Sequence, residues 1–183
     1  MSNYEQQSKA LCFILRHGAE KMKIQISKTG YVKCETIILE LQKRWPSFTQ
    51  TDLLAIVKED EKGRYNIDRG SIRTNQGHSM ESVKIQFRKA VPPVLLYHGT
   101  DERGLEAIAK TKGILKMKRH HVHLTDDLNT ASSVGIRHGS EVIITIDTRP
   151  MLKDKVEFFQ SENKVWLVDF VDSKYFSDIT RKK

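Results

Sequence analysis

The sequence predicts an α+β chain of two lobes, one over residues 1–90 and the other over residues 91–183. Three observations predict it. Apolar residues recur at helical spacing in three separate stretches before residue 60, and short strand-like runs follow them. Val91-Pro92-Pro93 then interrupts regular structure and stiffens a linker. Beyond the prolines the apolar runs become short and rich in Val, Ile, Leu and Trp, as strands require.

In the first lobe, Tyr4–His17 has Leu11, Ile14 and Leu15 at helical spacing, and Gly18 is placed to end the helix. Arg16 and His17 fall in its last turn, where cations meet the negative end of the helix dipole whether or not they have another use. Ser27–Val32 reads as a turn leading into a short strand. Glu35–Arg44 carries Ile37, Ile38 and Leu41 on one helical face. A third helix opens at Thr49, with Asp52 at capping-box spacing, and its expected buried residues are Leu53, Leu54, Ile56 and Val57. Arg64–Asp68 and Gly70–Arg73 read as a small hairpin. Three helices followed by a hairpin describe a winged-helix-like lobe.

The second lobe opens on the strand Val94–His98, which runs into His98-Gly99-Thr100 and an N-capped helix, Asp101–Lys110. Val122–Thr125 reads as a strand, Asp126–Ile136 as a helix, and Glu141–Asp147 and Val165–Val171 as buried strands. Thr180–Lys183 reads as a solvated end.

Composition narrows the function classes. Of 183 residues 38% are hydrophobic, enough for compact cores, and the net charge of +8 favours a polyanionic partner. No stretch is long and apolar enough for a membrane span, and the polar Met1–Gln7 lacks a secretory core. Cys12 and Cys34 form neither a disulfide framework nor a metal knuckle. The expected setting is the cytoplasm, or the nucleus in a eukaryote.

Chemistry-bearing residues concentrate in a few places. Ile72–Ser79, IRTNQGHS, sets Arg73, Gln76, His78 and Ser79 around a glycine and reads as a turn. Such donors suit a phosphate, although a polar loop can use the same groups to satisfy its own backbone. The seven histidines all lie within two residues of Gly, Arg or another His, and arginine accompanies four of these segments. Three chemistries compete for the pattern. His98, His121 and His123 could hold zinc, but the neighbouring arginines would repel it and no acidic ligand sits among them. A nuclease could use two histidines as acid and base. A nucleotide-handling transferase would clamp phosphates with Arg and His, helped by backbone amides of His98-Gly99-Thr100, and the residues favour this third reading.

Seven motifs occur in a fixed order: SKALCFILRH (Ser8–His17), TGYV (Thr29–Val32), IRTNQGHS, LYHGT (Leu96–Thr100), RHHVHLT (Arg119–Thr125), VGIRHG (Val134–Gly139) and NKVWLVD (Asn163–Asp169). Together the chain resembles the NAD-dependent RNA 2′-phosphotransferase family, from about Ser8 to Val171. Thr74, Thr125, Lys28 and Lys155 depart from the usual pattern without removing a reactive group.

The resemblance implies a winged-helix-like RNA lobe and an ADP-ribosyltransferase-like NAD lobe. It implies transfer of an internal RNA 2′-phosphate, the kind left by splicing, to NAD as co-substrate. The products would be 2′-OH RNA, ADP-ribose 1″,2″-cyclic phosphate and nicotinamide, by way of a phospho-ADP-ribosylated RNA. The family's Arg-His-Arg-Arg set falls on Arg16, His17, Arg73 and Arg137. NAD contacts fall on His98, Gly99, Thr100, Arg119, His121 and His123. Gln76, His78 and Ser79 are read from their hydrogen-bonding groups as contacts to the RNA phosphate. No metal is expected. The expected partner is an RNA with an internal 2′-phosphate, tRNA being the natural candidate, and the expected state is a monomer away from membranes. Two rivals share parts of this pattern: an enzyme ADP-ribosylating another acceptor, and a winged-helix nucleic-acid binder without catalysis.

Overall fold

In a computed structural model the chain divides into two units, Met1–Gln86 and Phe87–Lys183, and residues 4–137 and 140–182 are described. The fold is mixed α and β, with six α-helices and four small antiparallel sheets among the described residues.

The first unit begins with α1 (Glu5–Phe13), which continues without a break into a π-helical turn over Ile14–Gly18. The helical run ends at Gly18 as expected, but through a π turn: Ala19 N–H donates to the Ile14 carbonyl, five residues back, at 2.9 Å. Next come β1 (Val32–Lys33), α2 (Cys34–Gln42) and α3 (Gln50–Lys58). Thr49 and Asp52 cap α3 reciprocally, side chain to backbone in both directions. The hairpin strands β2 (Tyr65–Asp68) and β3 (Ser71–Thr74) turn through Arg69 and Gly70, whose φ of 45° and 71° define a type I′ connection. β1 adds to the far side of β3, giving the order β1-β3-β2. Leu11, Leu15, Ile37, Leu41, Leu53 and Ile72 are fully buried between the helices and this sheet. Each contributes roughly 1.5–3 kcal/mol by leaving water. Leu54, expected in this core, is 48% exposed, because only one face of α3 turns inward.

Residues ahead of the proline pair already belong to the second unit, since β4 (Arg88–Lys89) pairs with β9 (Phe159–Gln160). Between them lie β5 (Leu95–Thr100), α4 (Glu102–Thr111), β6 (Gly113–Leu115), β7 (Val122–Leu124), α5 (Leu128–Arg137), β8 (Glu141–Asp147) and α6 (Thr148–Lys153). Asp101 caps α4 by accepting from Gly104 N–H at 2.6 Å. The expected strand Val165–Val171 is two strands: β10 (Trp166–Val168) pairs with β7 and β9, and β11 (Phe170–Asp172) pairs with β6. The chain changes partner at Asp169. The expected solvated end is also a strand. β12 (Phe176–Lys182) runs along β8 as far as Lys182 opposite Glu141. β8 thus lies between β12 and β5, and Val142, Ile143, Ile144 and Ile146 are all buried. Helix α5 packs on β5 and β8.

Candidate active site

Arg16 and His17 stand on the π-helical turn, a feature often found at functional sites because it redirects side chains from their α-helical course. The segment Ile72–Ser79 comes back to meet them. Its first three residues end β3, and only Asn75–Ser79 form a loop. Ser79 N–H donates to the Arg16 carbonyl at 3.0 Å, and Ser79 Oγ lies 2.9 Å from His17 Nδ1. Gly77, at φ 92°, passes beneath the Arg16 side chain, and a Cβ there would stand 3.0 Å from Nε. Phe13 flanks the His17 ring at 6.1 Å. Arg16 Nε and Nη2 are shielded from water and meet no hydrogen-bond partner among the described residues. Leaving buried charged donors unmatched costs about 1–3 kcal/mol or more.

Arg73 projects from β3, directly opposite Asn66 of β2. Its Nη1 donates to the Thr29 carbonyl at 3.3 Å, and Cζ sits 4.9 Å from the centre of the Tyr31 ring. Gln76 is buried. His78 is only 3% exposed, with Nε2 3.2 Å from Thr74 Oγ1, so its side chain helps hold the loop together. Asn75 does likewise, donating through Nδ2 to the Gly63 carbonyl at 2.7 Å.

The second unit gathers the remaining candidates around β5 and β7. Tyr97 and Thr125 exchange backbone hydrogen bonds of 2.7 and 3.0 Å, which draws the two strands together. As a result His98 Nδ1–H donates to the His123 carbonyl at 3.2 Å. Burial lowers the His98 pKa from its ordinary 6.5; the carbonyl bond opposes this and the Arg119 charge adds to it. His98 is therefore neutral near pH 7, and with Nδ1 protonated its Nε2 is an acceptor. Arg119 Nη1 donates to His123 Nδ1 at 3.4 Å, which puts the proton of a neutral His123 on Nε2. His121 precedes β7 and packs against Phe87 at 5.6 Å and Phe159 at 6.2 Å; burial lowers its pKa too, with Asp169 opposing and the charges of His120 and Lys116 reinforcing.

Gly99 has a packing reason of its own. A Cβ there would run into the Ala131 carbonyl of α5. Thr100 Oγ1 lies against Gly104 in the first turn of α4. Arg137 closes α5; its side chain lies outside the described residues, as do His138 and Gly139. Among the described residues no three His, Cys, Asp or Glu side chains come together as a metal-binding group, and no helix is long and apolar enough to cross a membrane.

The model of the RNA 2′-phosphotransferase, Tpt1/KptA family matches residues 2–170. The chain belongs to the RNA 2′-phosphotransferase family. It is 43% identical to the protein named "Probable RNA 2′-phosphotransferase" of Fusobacterium nucleatum, over 96% of this chain and 98% of that one. It is 37% identical to the protein of that name from Pseudomonas syringae pv. tomato, over 94% and 92%. With the one from Escherichia coli O9:H4 it shares 42% over 90% of each chain. The phosphotransferase family is one of enzymes, and both clusters above lie within the matched stretch. Sequence reasoning missed Thr29 and Tyr31, which hold Arg73. It also missed Phe87 and Phe159 around His121. An arginine one residue from the end of a hairpin strand does not announce which turn its guanidinium will reach.

Proposed function

We propose that this enzyme removes an internal RNA 2′-phosphate by transferring it to NAD, releasing nicotinamide, 2′-OH RNA and ADP-ribose 1″,2″-cyclic phosphate through an ADP-ribosylated RNA phosphate. The observation that carries this reading is Arg16, whose two shielded donors await an acceptor beside the His17–Ser79 pair. Arg16 and Arg73 supply two planar forks for phosphate oxygens, and Arg137 completes the set that the family resemblance assigns. Ser79 fixes the His17 ring, and His17 is the one member of the clamp able to give a proton to the departing RNA oxygen. The relatives' names supply the substrate class, RNA; tRNA is the proposed carrier.

In the second unit the groups present fit a dinucleotide. The His98 Nε2 acceptor suits a ribose hydroxyl, Arg119 and the first turn of α4 suit a pyrophosphate, and His121 with its aromatic neighbours suits a flat ring. NAD would bring a ribose carbon bearing a good leaving group. What the residues contribute is placement of the attacking phosphate oxygen and stabilisation of charge as the ribose–phosphate bond forms. We read the first unit, three helices with a hairpin sheet, as the winged-helix-like RNA lobe, and the second as the ADP-ribosyltransferase-like NAD lobe. The protein is read as a monomer of the cytoplasm that needs no metal.

Incubation with NAD and an oligonucleotide carrying one internal 2′-phosphate tests the reading. Nicotinamide and the cyclic phosphate should appear in equal amounts as the RNA phosphate disappears, and a chelator should leave the rate unchanged. Release of nicotinamide with the phosphate retained on RNA would replace it with simple ADP-ribosylation. No nicotinamide at all would leave a binding protein.

A further inference from the structure

The turn Ser27–Tyr31 touches Arg73 at two points and is tied to the strand opposite it at a third. Thr29 offers its carbonyl to Arg73 Nη1 at 3.3 Å. The Tyr31 ring lies 4.9 Å from Arg73 Cζ. Tyr31 Oη donates to Asn66 Oδ1 at 2.7 Å, and Asn66 is the residue directly across from Arg73 in the β2–β3 register. The ring is thus tethered at its far edge to the strand pair that carries the arginine.

The turn itself is held firmly. Gly30 N–H donates to the Ser27 carbonyl, Ser27 N–H to the Tyr31 carbonyl, and Tyr31 N–H to Ser27 Oγ, each at 2.9 Å. Gly30 has φ 85°, and a Cβ on it would come within 2.9 Å of His78 Nε2. The buried His78 therefore props the turn from beneath. One segment, Ile72–Ser79, carries both the arginine and the prop for the turn that holds it.

We propose that Tyr31 is a positioning residue for Arg73, a tethered platform that holds the guanidinium in one orientation for the RNA 2′-phosphate. The proposal rests on the reading of Arg73 as part of the phosphate clamp. An arginine already stacked and hydrogen-bonded loses little rotamer freedom when it grips a phosphate, so the grip is stronger than that of a mobile side chain. The ring face attracts the cation, and the hydroxyl keeps the ring from turning away.

The test compares affinity for an oligonucleotide with one internal 2′-phosphate against the same oligonucleotide with a 2′-hydroxyl, in the absence of NAD. The ratio measures the grip on the phosphate alone. Tyr31→Leu should lower that ratio by about 3- to 30-fold, the range of a cation–π contact, while the 2′-hydroxyl affinity and NAD affinity stay as in wild type. Tyr31→Phe should keep most of the ratio. In an Arg73→Ala background Tyr31→Leu should cost nothing further, because nothing is left to position. Tyr31→Met gives the same reading should the leucine variant fail to fold. Equal loss for both oligonucleotides, or losses that add in the double variant, would make Tyr31 structural and overturn the proposal. If Arg73→Ala lowers the ratio and Tyr31→Leu does not, Tyr31 alone is misassigned. If Arg73→Ala leaves the ratio intact, the clamp reading fails and takes this proposal with it.

Discussion

The Arg16 guanidinium lies across Gly77, its Nε and Cζ 3.0 and 3.1 Å from where a Cβ of residue 77 would stand. Gly77 therefore does two things: it adopts φ 92°, and it leaves room for the side chain above. The fit explains why a glycine interrupts a stretch otherwise made of hydrogen-bonding residues.

Gly77→Ala should act on both counts. The left-handed backbone costs an alanine about 1–2 kcal/mol. The new methyl would also displace Arg16, since the guanidinium is the flexible partner of the contact. Displacing a clamp by a fraction of an ångström should lower kcat/KM for phosphate removal by about 10- to 100-fold. Thermal unfolding and steady-state rates with a 2′-phosphorylated oligonucleotide check this. A lower Tm with unchanged kcat/KM would mean that the position of Arg16 does not matter.

How much of this was legible follows from how local each signal is. Thr49 and Asp52 were readable as a cap because both partners lie within one helical turn. The tail Phe176–Lys182 was not readable as a strand, because TRK has no local strand pattern and only the backbone of β8 makes it one. Val165–Val171 reads as one buried strand, and nothing in it says that the partner changes at Asp169. At the site, Arg16 and His17 were visible as a pair at the end of a helix. Their place on a π-helical turn, with Ala19 N–H bonded to the Ile14 carbonyl, leaves no mark in residue types. His78 looked like its neighbours Gln76 and Ser79, and only its burial against Thr74 and Gly30 gives it a separate task.

Gly99→Ala separates two uses of that glycine. A Cβ would collide with the Ala131 carbonyl, and Val134 Cβ would lie 3.1 Å away, so α5 must lift from β5. Backbone cannot swing aside as a side chain can. We expect a loss of about 3 kcal/mol or more, seen as a lower unfolding midpoint. NAD affinity lost with the midpoint intact would instead mean that the glycine serves only the dinucleotide.

His98 and His121, whose pKa burial lowers, set an acid limit for the protein. Unfolded, each titrates near 6.5; folded, each titrates lower. Between those values the unfolded chain binds more protons, so stability is full above pH 6.5 and declines as pH falls toward the folded-state pKa. Unfolding midpoints between pH 7.5 and 5 should fall with acid, and His98→Asn should flatten the fall. An unchanged slope in both His98→Asn and His121→Asn would place the acid sensitivity elsewhere.

Arg16→Met should change stability and activity in opposite directions. Methionine fills similar space, and it removes two shielded donors that meet no partner among the described residues. In buffer free of phosphate and sulfate, the variant should therefore gain about 1 kcal/mol of stability and unfold about 2–4 °C higher, while phosphate removal falls below detection. Adding inorganic phosphate should then raise the wild-type midpoint by mass action and leave the variant's unmoved. The two curves would approach each other as the anion takes the place of the RNA phosphate. If Arg16→Met unfolds lower than wild type in anion-free buffer, the guanidinium is holding the first unit together, and its donors are not waiting for a substrate.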